Sequence, residues 1–244
     1  MKELIKELSG LRGISGYEHN VHETIKEKFK PLADEVYTDI SGNVIAVKKC
    51  GKPDADKIVI EAHIDEIGLM VNEIDENGFL GVVNVGGVDP RILPGAEVMV
   101  HGVRDIAGVV GAKPPHLMNK DEERTAYEMT DIAIDTGLSK EEVKKLVKIG
   151  DAITMTSPCI ELLDEKIAGK SLDDRASVAI LIDVFEKLSE CAINVDVYAI
   201  ASAKEEVGGF GAMTATYEIN PTLAIAIDVC HGITPDNSYS AYDL

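Results

Sequence analysis

In Lys57-Ile58-Val59-Ile60-Glu61-Ala62-His63-Ile64-Asp65 an apolar run ends abruptly on residues that can bind a metal or a proton. Two later runs end in the same way: residues 196–203 lead into Lys204-Glu205-Glu206-Val207-Gly208, and residues 223–227 lead into Asp228. Runs rich in Val, Ile and Ala predict buried strands of an α/β sheet. In such sheets the site lies beyond the carboxyl ends of the strands. The sequence therefore predicts that one His and several carboxylates converge on one sheet edge, as in a metal hydrolase.

The charge balance is strongly acidic, with 43 Asp and Glu residues against 24 Lys and Arg residues among 244. Nucleic acids and anionic membrane surfaces bind basic faces, so this composition argues against both as partners. The length suits one large domain or two small ones with a sizeable core.

Targeting and redox signals predict a cytoplasmic protein. Residues 1–8 mix charged and apolar side chains at helical spacing and lack the continuous apolar core of a signal peptide. No stretch reaches the length of a membrane span. The four cysteines, Cys50, Cys159, Cys191 and Cys230, form no Cys-x-x-Cys pair, so we expect free thiols in a reducing cytoplasm.

The pattern of predicted secondary structure changes twice along the chain. Residues 1–68 and 167–244 carry the α/β pattern, with the last turn signal at residues 235–237. Residues 69–166 contain short alternating strands separated by Gly, Pro, Asn and Asp turn signals, a pattern typical of a small antiparallel barrel or sandwich. We therefore predict a discontinuous α/β domain with an inserted β-rich domain.

Helices are predicted at three places. Residues 1–30 read as a helix pair broken at residues 13–16, and on its second helix we expect Glu18, His19 and His22 to be exposed polar positions. A capping box at Ser139-Lys140-Glu141-Glu142 starts a helix inside the β-rich segment.

The third helix begins at Ser171-Leu172-Asp173-Asp174-Arg175 and turns Val178, Leu181, Ile182 and Phe185 inward. The simplest interpretation of its two aspartates is that they favour the helix dipole.

The side chains at the strand ends suit metal chemistry. His63 and Asp65 are two apart in an extended segment and point the same way, so one can bind a metal while the other orients it. Glu205 and Glu206 can divide their roles, one as ligand and one as base, and Asp228 is costly to bury unpaired. These donors suit Zn²⁺, Co²⁺ or Mn²⁺, and a carboxylate that bridges two ions would make a two-metal hydrolase site. The chain has no Gly-x-Ser-x-Gly elbow and no Walker phosphate loop, which disfavours nucleophilic and nucleotide chemistry.

Six strings together resemble metallopeptidase family 42, the glutamyl or deblocking aminopeptidases that are often labelled cellulase M or endoglucanase M homologues. They run in family order and cover nearly the whole chain. The strings are Ala62-His63-Ile64-Asp65-Glu66-Ile67-Gly68, Gly86-Gly87-Val88-Asp89-Pro90-Arg91, Gly111-Ala112-Lys113-Pro114-Pro115-His116, Leu172-Asp173-Asp174-Arg175, Glu205-Glu206-Val207-Gly208 and Ile227-Asp228-Val229.

The resemblance implies a dinuclear centre with two divalent ions, zinc or cobalt. It implies that His63 and Asp228 hold one ion, that Glu206 holds the second, and that Asp173 bridges the two.

The resemblance also implies the chemistry, the fold and the partners. Glu205 would be the general base and acid, and Asp65 would orient His63. The implied fold is α/β, a mixed-sheet aminopeptidase domain with an inserted small β-barrel-like domain. Peptides would be the substrates, and the chain would form a homo-oligomer, a dodecamer built from dimers.

The chain departs from the family at its end. Members of the family continue well past residue 244 and supply a final His ligand for the second ion, and His231 is the only nearby substitute. We expect His231 to be a loop residue that does not bind the ions. We therefore expect a chain with its C-terminal part missing and with poor aminopeptidase activity.

Two other functions stay open at the level of sequence. An endoglucanase would use two carboxylates without metal and would leave His63 and Asp228 unused. A non-catalytic metal-binding or assembly subunit would bind ions without turnover.

Overall fold

The computed structural model describes residues 1–114, 117 and 127–232, and these residues form an open sheet with helices and a separate closed barrel. The helices and strands are α1 Lys2–Gly10, α2 His19–Phe29, β1 Glu35–Thr38, β2 Val44–Lys48, β3 Lys57–His63, β4 Gly68–Ile74, β5 Leu80–Val85, β6 Glu97–His101, β7 Asp105–Gly111, β8 Ala133–Asp135, α3 Lys140–Leu146, β9 Ala152–Met155, β10 Ile160–Glu161, β11 Ile167–Ala168, α4 Leu172–Ser189, β12 Asp196–Ser202, α5 Phe210–Ile219 and β13 Leu223–Ala226. Residues 115 and 116 of one family string, and the turn at 235–237, lie outside the described residues.

The open sheet is mixed and has the strand order β1-β2-β12-β3-β13. Strands β12, β3 and β13 are parallel, whereas β2 and β1 run antiparallel to their neighbours. The register pairs Ser202 with His63 and Ala226 with Glu61. The carboxyl ends of the three parallel strands therefore meet at one edge, as their apolar runs predict.

Apolar side chains on the two faces of this sheet pack against different helices. Ile60 and Ala62 of β3 face a core that includes residues of α1, α2 and α4, and Val59 faces a smaller core that includes Ala215 and Ile219 of α5. In the larger core the rings of Phe29 and Phe185 meet edge to face, with centroids 5.3 Å apart. The alternation along β3 thus supplies both cores.

The edge strand β13 differs from its prediction, because all four of its residues are exposed. It pairs with β3 on one side, and no strand of the described segments pairs with its other side. The apolar run correctly predicts a strand, but its burial depends on neighbours that the run itself does not encode.

The inserted segment closes into a six-stranded antiparallel barrel in the order β4-β5-β8-β7-β6-β9. Its own core contains Leu69, Leu80, Val100 and Ile153, and α3 adds Val143 to that core. The capping box that starts α3 is present. The α/β fold with a barrel-like insert is therefore confirmed.

The N-terminal segment joins the barrel to the sheet. A Cβ at Gly68, where the barrel begins, would lie 2.2 Å from Cγ2 of Ile14 and 2.8 Å from the carbonyl oxygen of Ile153, so only glycine fits this contact. Arg12 forms an ion pair with Asp105 of the barrel, and its guanidinium lies 2.9 Å from Nδ1 of His101. Arg12 and Ile14 therefore both contact the barrel.

Two further expectations concern membrane-spanning helices and the cysteine thiols. Within the described part of the chain, no helix is long and apolar enough to cross a membrane. All four cysteines are free, as expected.

The aromatic contact between α2 and α4 gives a test of the larger core. We expect Phe185→Ala to lower the free energy of unfolding by about 3–5 kcal/mol, because it removes a fully buried ring and leaves a cavity beside Phe29. Urea denaturation followed by circular dichroism measures the change. The matched control is Phe79→Ala, since Phe79 is 39% exposed and its loss should cost much less. Equal losses in the two variants would contradict the packing described for Phe185.

Candidate metal centre

The candidate site lies at the sheet edge where β3, β12 and β13 end. His63 is the last residue of β3, the pair Glu205 and Glu206 follows β12, and Asp228 follows β13. Asp173 comes from the start of α4, which packs against β3. Five residues that are as far as 165 positions apart in sequence thus meet through the parallel topology.

His63 is the centre of this arrangement and is only 3% exposed. Its Nδ1 lies 3.1 Å from the backbone oxygen of Asp65, and this contact assigns a proton to Nδ1. Its Nε2 faces the acids, 3.0 Å from Oδ1 of Asp173 and 3.9 Å from Oε2 of Glu205. The ring therefore presents one nitrogen to a cluster of carboxylates.

The acids around His63 change its titration. Burial lowers the pKa of His63, but hydrogen bonds to Asp173 and Asp65 and the neighbouring negative charges outweigh burial and raise it to about 11. In the ion-free protein the imidazole is thus held as a cation, which balances part of the local negative charge.

One group of possible ligands consists of His63, Asp174 and Asp228, whose ligand atoms lie within 4.8 Å of one another. Asp174 is completely buried, and neither of its carboxylate oxygens has a hydrogen-bond partner of good geometry among the described residues. Burial, with the charges of Asp228 and Asp173, raises the pKa of Asp174 to about 7. Asp228 is exposed, so the cost of burying it unpaired does not arise.

A second group shares the same histidine and adds Glu205 and Glu206 within the same 4.8 Å limit. Burial, followed by the charge of Asp173, raises the pKa of Glu206 to about 7. Asp173 contributes to the raised pKa of both Glu206 and Asp174, so its carboxylate lies near both groups.

The chemistry of these donors fits divalent cations. An unpartnered buried carboxylate and several crowded acids are unfavourable unless a positive charge compensates them. One imidazole nitrogen with carboxylate oxygens is the donor set that Zn²⁺, Co²⁺ and Mn²⁺ accept. The site can therefore hold metal, and His63 stands where the two groups meet.

Asp65 lies behind His63 and is completely buried. Its oxygens accept hydrogen bonds from the backbone N–H groups of Glu205 and Glu206, at 3.0 and 3.1 Å, and from the hydroxyl of Ser15. Burial alone raises the pKa of Asp65, but these bonds and His63 outweigh it and lower the pKa. Asp65 is therefore an ionised anchor for both the histidine and the adjacent loop.

The structure brings all six predicted site residues into one region. Asp65 touches His63 and the Glu205–Glu206 backbone, while Asp173 contacts the imidazole directly. The side chain of Asp173 is 59% exposed, whereas Asp174 is buried. The role of Asp173 as a bridging ligand therefore remains a prediction.

Two contributions to the site were not predicted. The sequence predicts only that Asp174 favours the helix dipole, yet Asp174 belongs to the first ligand group. Glu18 was expected to be an exposed polar residue, but it is 4% exposed and its carboxylate accepts a hydrogen bond from the backbone N–H of Lys204. No local signal in the sequence marks this contact, because the partner amide is 186 positions away.

A glycine of the barrel also approaches the site. Gly86 has a φ of +77°, and a Cβ there would lie 2.8 Å from Cγ2 of Ile67 and 3.1 Å from Cβ of Glu206. Gly86 therefore has a steric reason to lack a side chain beside the second ligand group.

Comparison with known proteins identifies a family of similar sequences. The sequence profile described as M42 glutamyl aminopeptidase matches residues 42–242. A putative aminopeptidase of Acetivibrio thermocellus is 37% identical over 239 residues, which are 97% of this chain and 68% of the relative. The chain spans about two thirds of the length of such relatives.

Solved structures give the same picture. An aminopeptidase from the archaeon Desulfurococcus kamchatkensis is similar with a TM-score of 0.90 and 38% identity, over 98% of this chain and 65% of that one. An endoglucanase of Thermotoga maritima has a TM-score of 0.78 and 36% identity, over 96% and 68% of the two chains. The TET1 peptidase of Pyrococcus horikoshii, described as able to assemble into a tetrahedron or a large octahedral shell, has a TM-score of 0.84 and 33% identity, over 97% and 72%.

The raised pKa values predict how metal binding depends on pH. An ion at this site would favour the deprotonated forms of His63 and Glu206 and of the neighbouring Asp174, so its uptake is expected to release protons. As pH rises from 6 to 8 the two carboxyl groups, with pKa values of about 7, lose their protons, and we expect the affinity for Zn²⁺ to increase. Calorimetric titration of the ion-free protein in buffers of different ionisation enthalpy measures both effects.

The control for this titration is His19→Asn, because His19 is exposed on α2 and should contribute no protons. His63→Asn should weaken binding and reduce the number of protons released. An affinity that does not change between pH 6 and pH 8 would contradict the involvement of the two carboxyl groups.

Proposed function

Because the chain belongs to the M42 glutamyl aminopeptidase family, we propose that it is a metal-dependent aminopeptidase that releases N-terminal residues from peptides. The observation that carries the proposal is that two groups of possible ligands, each with two acidic residues, share His63 at one sheet edge. A site with two ligand groups and a spare acid suits hydrolysis by an activated water.

The proposed cofactors are two divalent ions, zinc or cobalt. His63 and Asp228 would hold one ion, Glu206 would hold the second, and Asp173 would bridge them. Support comes from the 3.0 Å contact of Asp173 with Nε2 of His63 and from its influence on the pKa of Glu206. When bound, such a pair of ions polarises a scissile carbonyl and lowers the pKa of a water.

Glu205 is the proposed general base and acid. Its carboxylate would take a proton from the attacking water and pass it to the amine that leaves. Its side chain is 43% exposed, so a substrate can reach it, and its backbone is held by Asp65. The adjacent Glu206 is then free to serve as ligand.

Asp65 is proposed to orient His63. Its backbone oxygen lies 3.1 Å from Nδ1 of the imidazole, and its carboxylate lies 3.5 Å from the same nitrogen. These contacts turn Nε2 toward the acids and favour the tautomer that can bind an ion.

The remaining proposals concern organisation. We propose a catalytic domain of residues 1–68 and 167–244 and an inserted domain of residues 69–166, since the barrel strands run from Gly68 to Met155. We also propose that the protein is cytoplasmic and forms a homo-oligomer, specifically a dodecamer. The assembly described for the P. horikoshii TET1 peptidase supports self-association.

An endoglucanase activity is the second candidate, and the name of the T. maritima relative is the observation that favours it. A metal-free glycosidase would use two carboxylates and would give His63 no role. A non-catalytic metal-binding subunit is the third possibility. Hydrolysis of aminoacyl-nitroanilides and of a cellulose oligomer, each with and without a strong chelator, separates the three.

Glu205→Gln tests the proposed base. In any version of the protein that is active, we expect kcat on aminoacyl-nitroanilides to fall by about 10²–10⁴ because the amide cannot accept the proton. The metal content, measured by elemental analysis, should stay at the wild-type level, since His63, Asp173, Glu206 and Asp228 remain.

The comparison variant is Asp173→Ala, which should lose bound metal as well as activity. Near-normal turnover in Glu205→Gln would exclude Glu205 as the base. Unchanged metal content in Asp173→Ala, with loss of metal in Asp174→Ala, would transfer the bridging role to Asp174.

A further inference from the structure

The loop of residues 203–209, which joins β12 to α5, is held by side chains from other segments of the chain. The backbone N–H groups of four successive residues, 203–206, each donate to a side-chain oxygen. Asn43 accepts from residue 203 at 2.9 Å, Glu18 accepts from residue 204 at 3.1 Å, and Asp65 accepts from residues 205 and 206 at 3.0 and 3.1 Å. We call these three acceptors the loop clamp.

The clamp residues are buried and come from three separate segments. Asn43 and Asp65 are completely buried, and Glu18 is 4% exposed. Asn43 precedes β2, Glu18 precedes α2, and Asp65 follows β3. No two of them are adjacent in sequence, so the convergence on four consecutive amides is a property of the tertiary structure.

Two clamp residues are themselves fixed in place. The side-chain amide nitrogen of Asn43 donates to Oδ2 of Asp39 at 2.7 Å and to the carbonyl of Gly211 at 3.0 Å, so Asn43 links the start of the loop to the first turn of α5. The Glu18 oxygen that binds residue 204 also accepts the backbone N–H of Gly16 at 2.7 Å. Each acceptor therefore has a defined orientation before it meets the loop.

The loop needs this support because its own conformation is unusual. Lys204 has a φ of +62°, which is rare for a residue with a side chain, and its amine donates to the carbonyl of Ser41 at 2.8 Å. Gly208 and Gly209 also have positive φ values. A Cβ at Gly211 would lie 2.1 Å from the carbonyl oxygen of Ala203, so the loop closes tightly on itself.

We infer that Glu18 and Asn43 are positioning residues for the proposed reaction, which act by fixing the backbone that carries Glu205 and Glu206. This inference rests on the proposed function. Neither residue belongs to the two ligand groups around His63, so their effect on the reaction passes through the loop. The proposed base and a proposed ligand are neighbours on that loop, and a displacement of about 1 Å in such groups can cost about 100-fold in rate.

A simple structural role would predict a different result from positioning. Buried carboxylates cost stability unless hydrogen bonds compensate them, so loss of Glu18 could act on folding alone. In that case the folded fraction of a variant would keep wild-type kcat and wild-type loop protection. The experiment must therefore observe the loop itself.

The variants are Glu18→Ala, Glu18→Gln, Asn43→Ala and the control Glu23→Ala. Gln keeps an oxygen that can accept from both Gly16 and Lys204, whereas Ala keeps none. Glu23 is an exposed acid on α2 whose side chain pairs only with Lys26 among the described residues.

Three measurements are made on each variant below its melting temperature. Hydrogen–deuterium exchange of the peptide spanning residues 203–208 in the ion-free protein reports the clamp directly. Competition with a chelator gives the Kd for Zn²⁺, and nitroanilide hydrolysis gives kcat and KM.

For Glu18→Ala we expect exchange in the loop peptide to accelerate at least about tenfold, since a buried hydrogen bond to a charged acceptor is lost. We expect kcat to fall about 10–100-fold with KM within about threefold of wild type, because the substitution disturbs the placement of the reacting groups. Asn43→Ala should act in the same direction. Glu18→Gln should restore exchange and kcat to within about threefold, and Glu23→Ala should match wild type.

The inference fails if Glu18→Ala keeps wild-type exchange and kcat, or if Glu18→Gln is as impaired as Glu18→Ala. If the wild-type chain shows no turnover on any peptide substrate, the proposed function fails separately. In that event faster loop exchange and a raised Kd for Zn²⁺ in Glu18→Ala still support the clamp, and unchanged values overturn it.

Discussion

The buried carboxylate of Asp65 holds three separate segments of the chain together at the site. A carboxylate removed from water is strongly unfavourable unless donors surround it, and here the donors come from Ser15, His63 and the backbone of Glu205 and Glu206. Loss of any of these donors would leave a buried charge without full compensation, which is unfavourable. The N-terminal segment, the end of β3 and the loop after β12 therefore assemble as one unit.

Much of this architecture is readable from the sequence because its causes are local. The apolar runs before His63, Glu205 and Asp228 have the composition of strands in an α/β sheet, and parallel topology then brings their ends together. The barrel is readable for a similar reason, since strand alternation and turn residues repeat through residues 69–166. Family strings add the roles of individual residues, which composition alone does not give.

What could not be predicted depends on distant contacts. Glu18 lies among polar residues, and nothing nearby indicates that its partner is an amide 186 positions away. Asp173 and Asp174 are chemically identical neighbours, yet non-helical backbone angles expose one and bury the other. The run in β13 shows that a strand is suited to burial but not whether another element covers it.

The barrel is inserted by chain connectivity, but its packing is shared with the site. Gly68, at the junction where β4 begins, packs against Ile14, and Gly86 of the barrel packs against Glu206, so a side chain at either position would collide with the catalytic domain. Exchange of barrels between homologues by recombination would therefore succeed only if glycine is kept at both positions. The insert is one continuous segment of the gene, but its surface is adapted to the catalytic domain. Sequence divergence should therefore proceed faster on the far side of the barrel than at these two contacts.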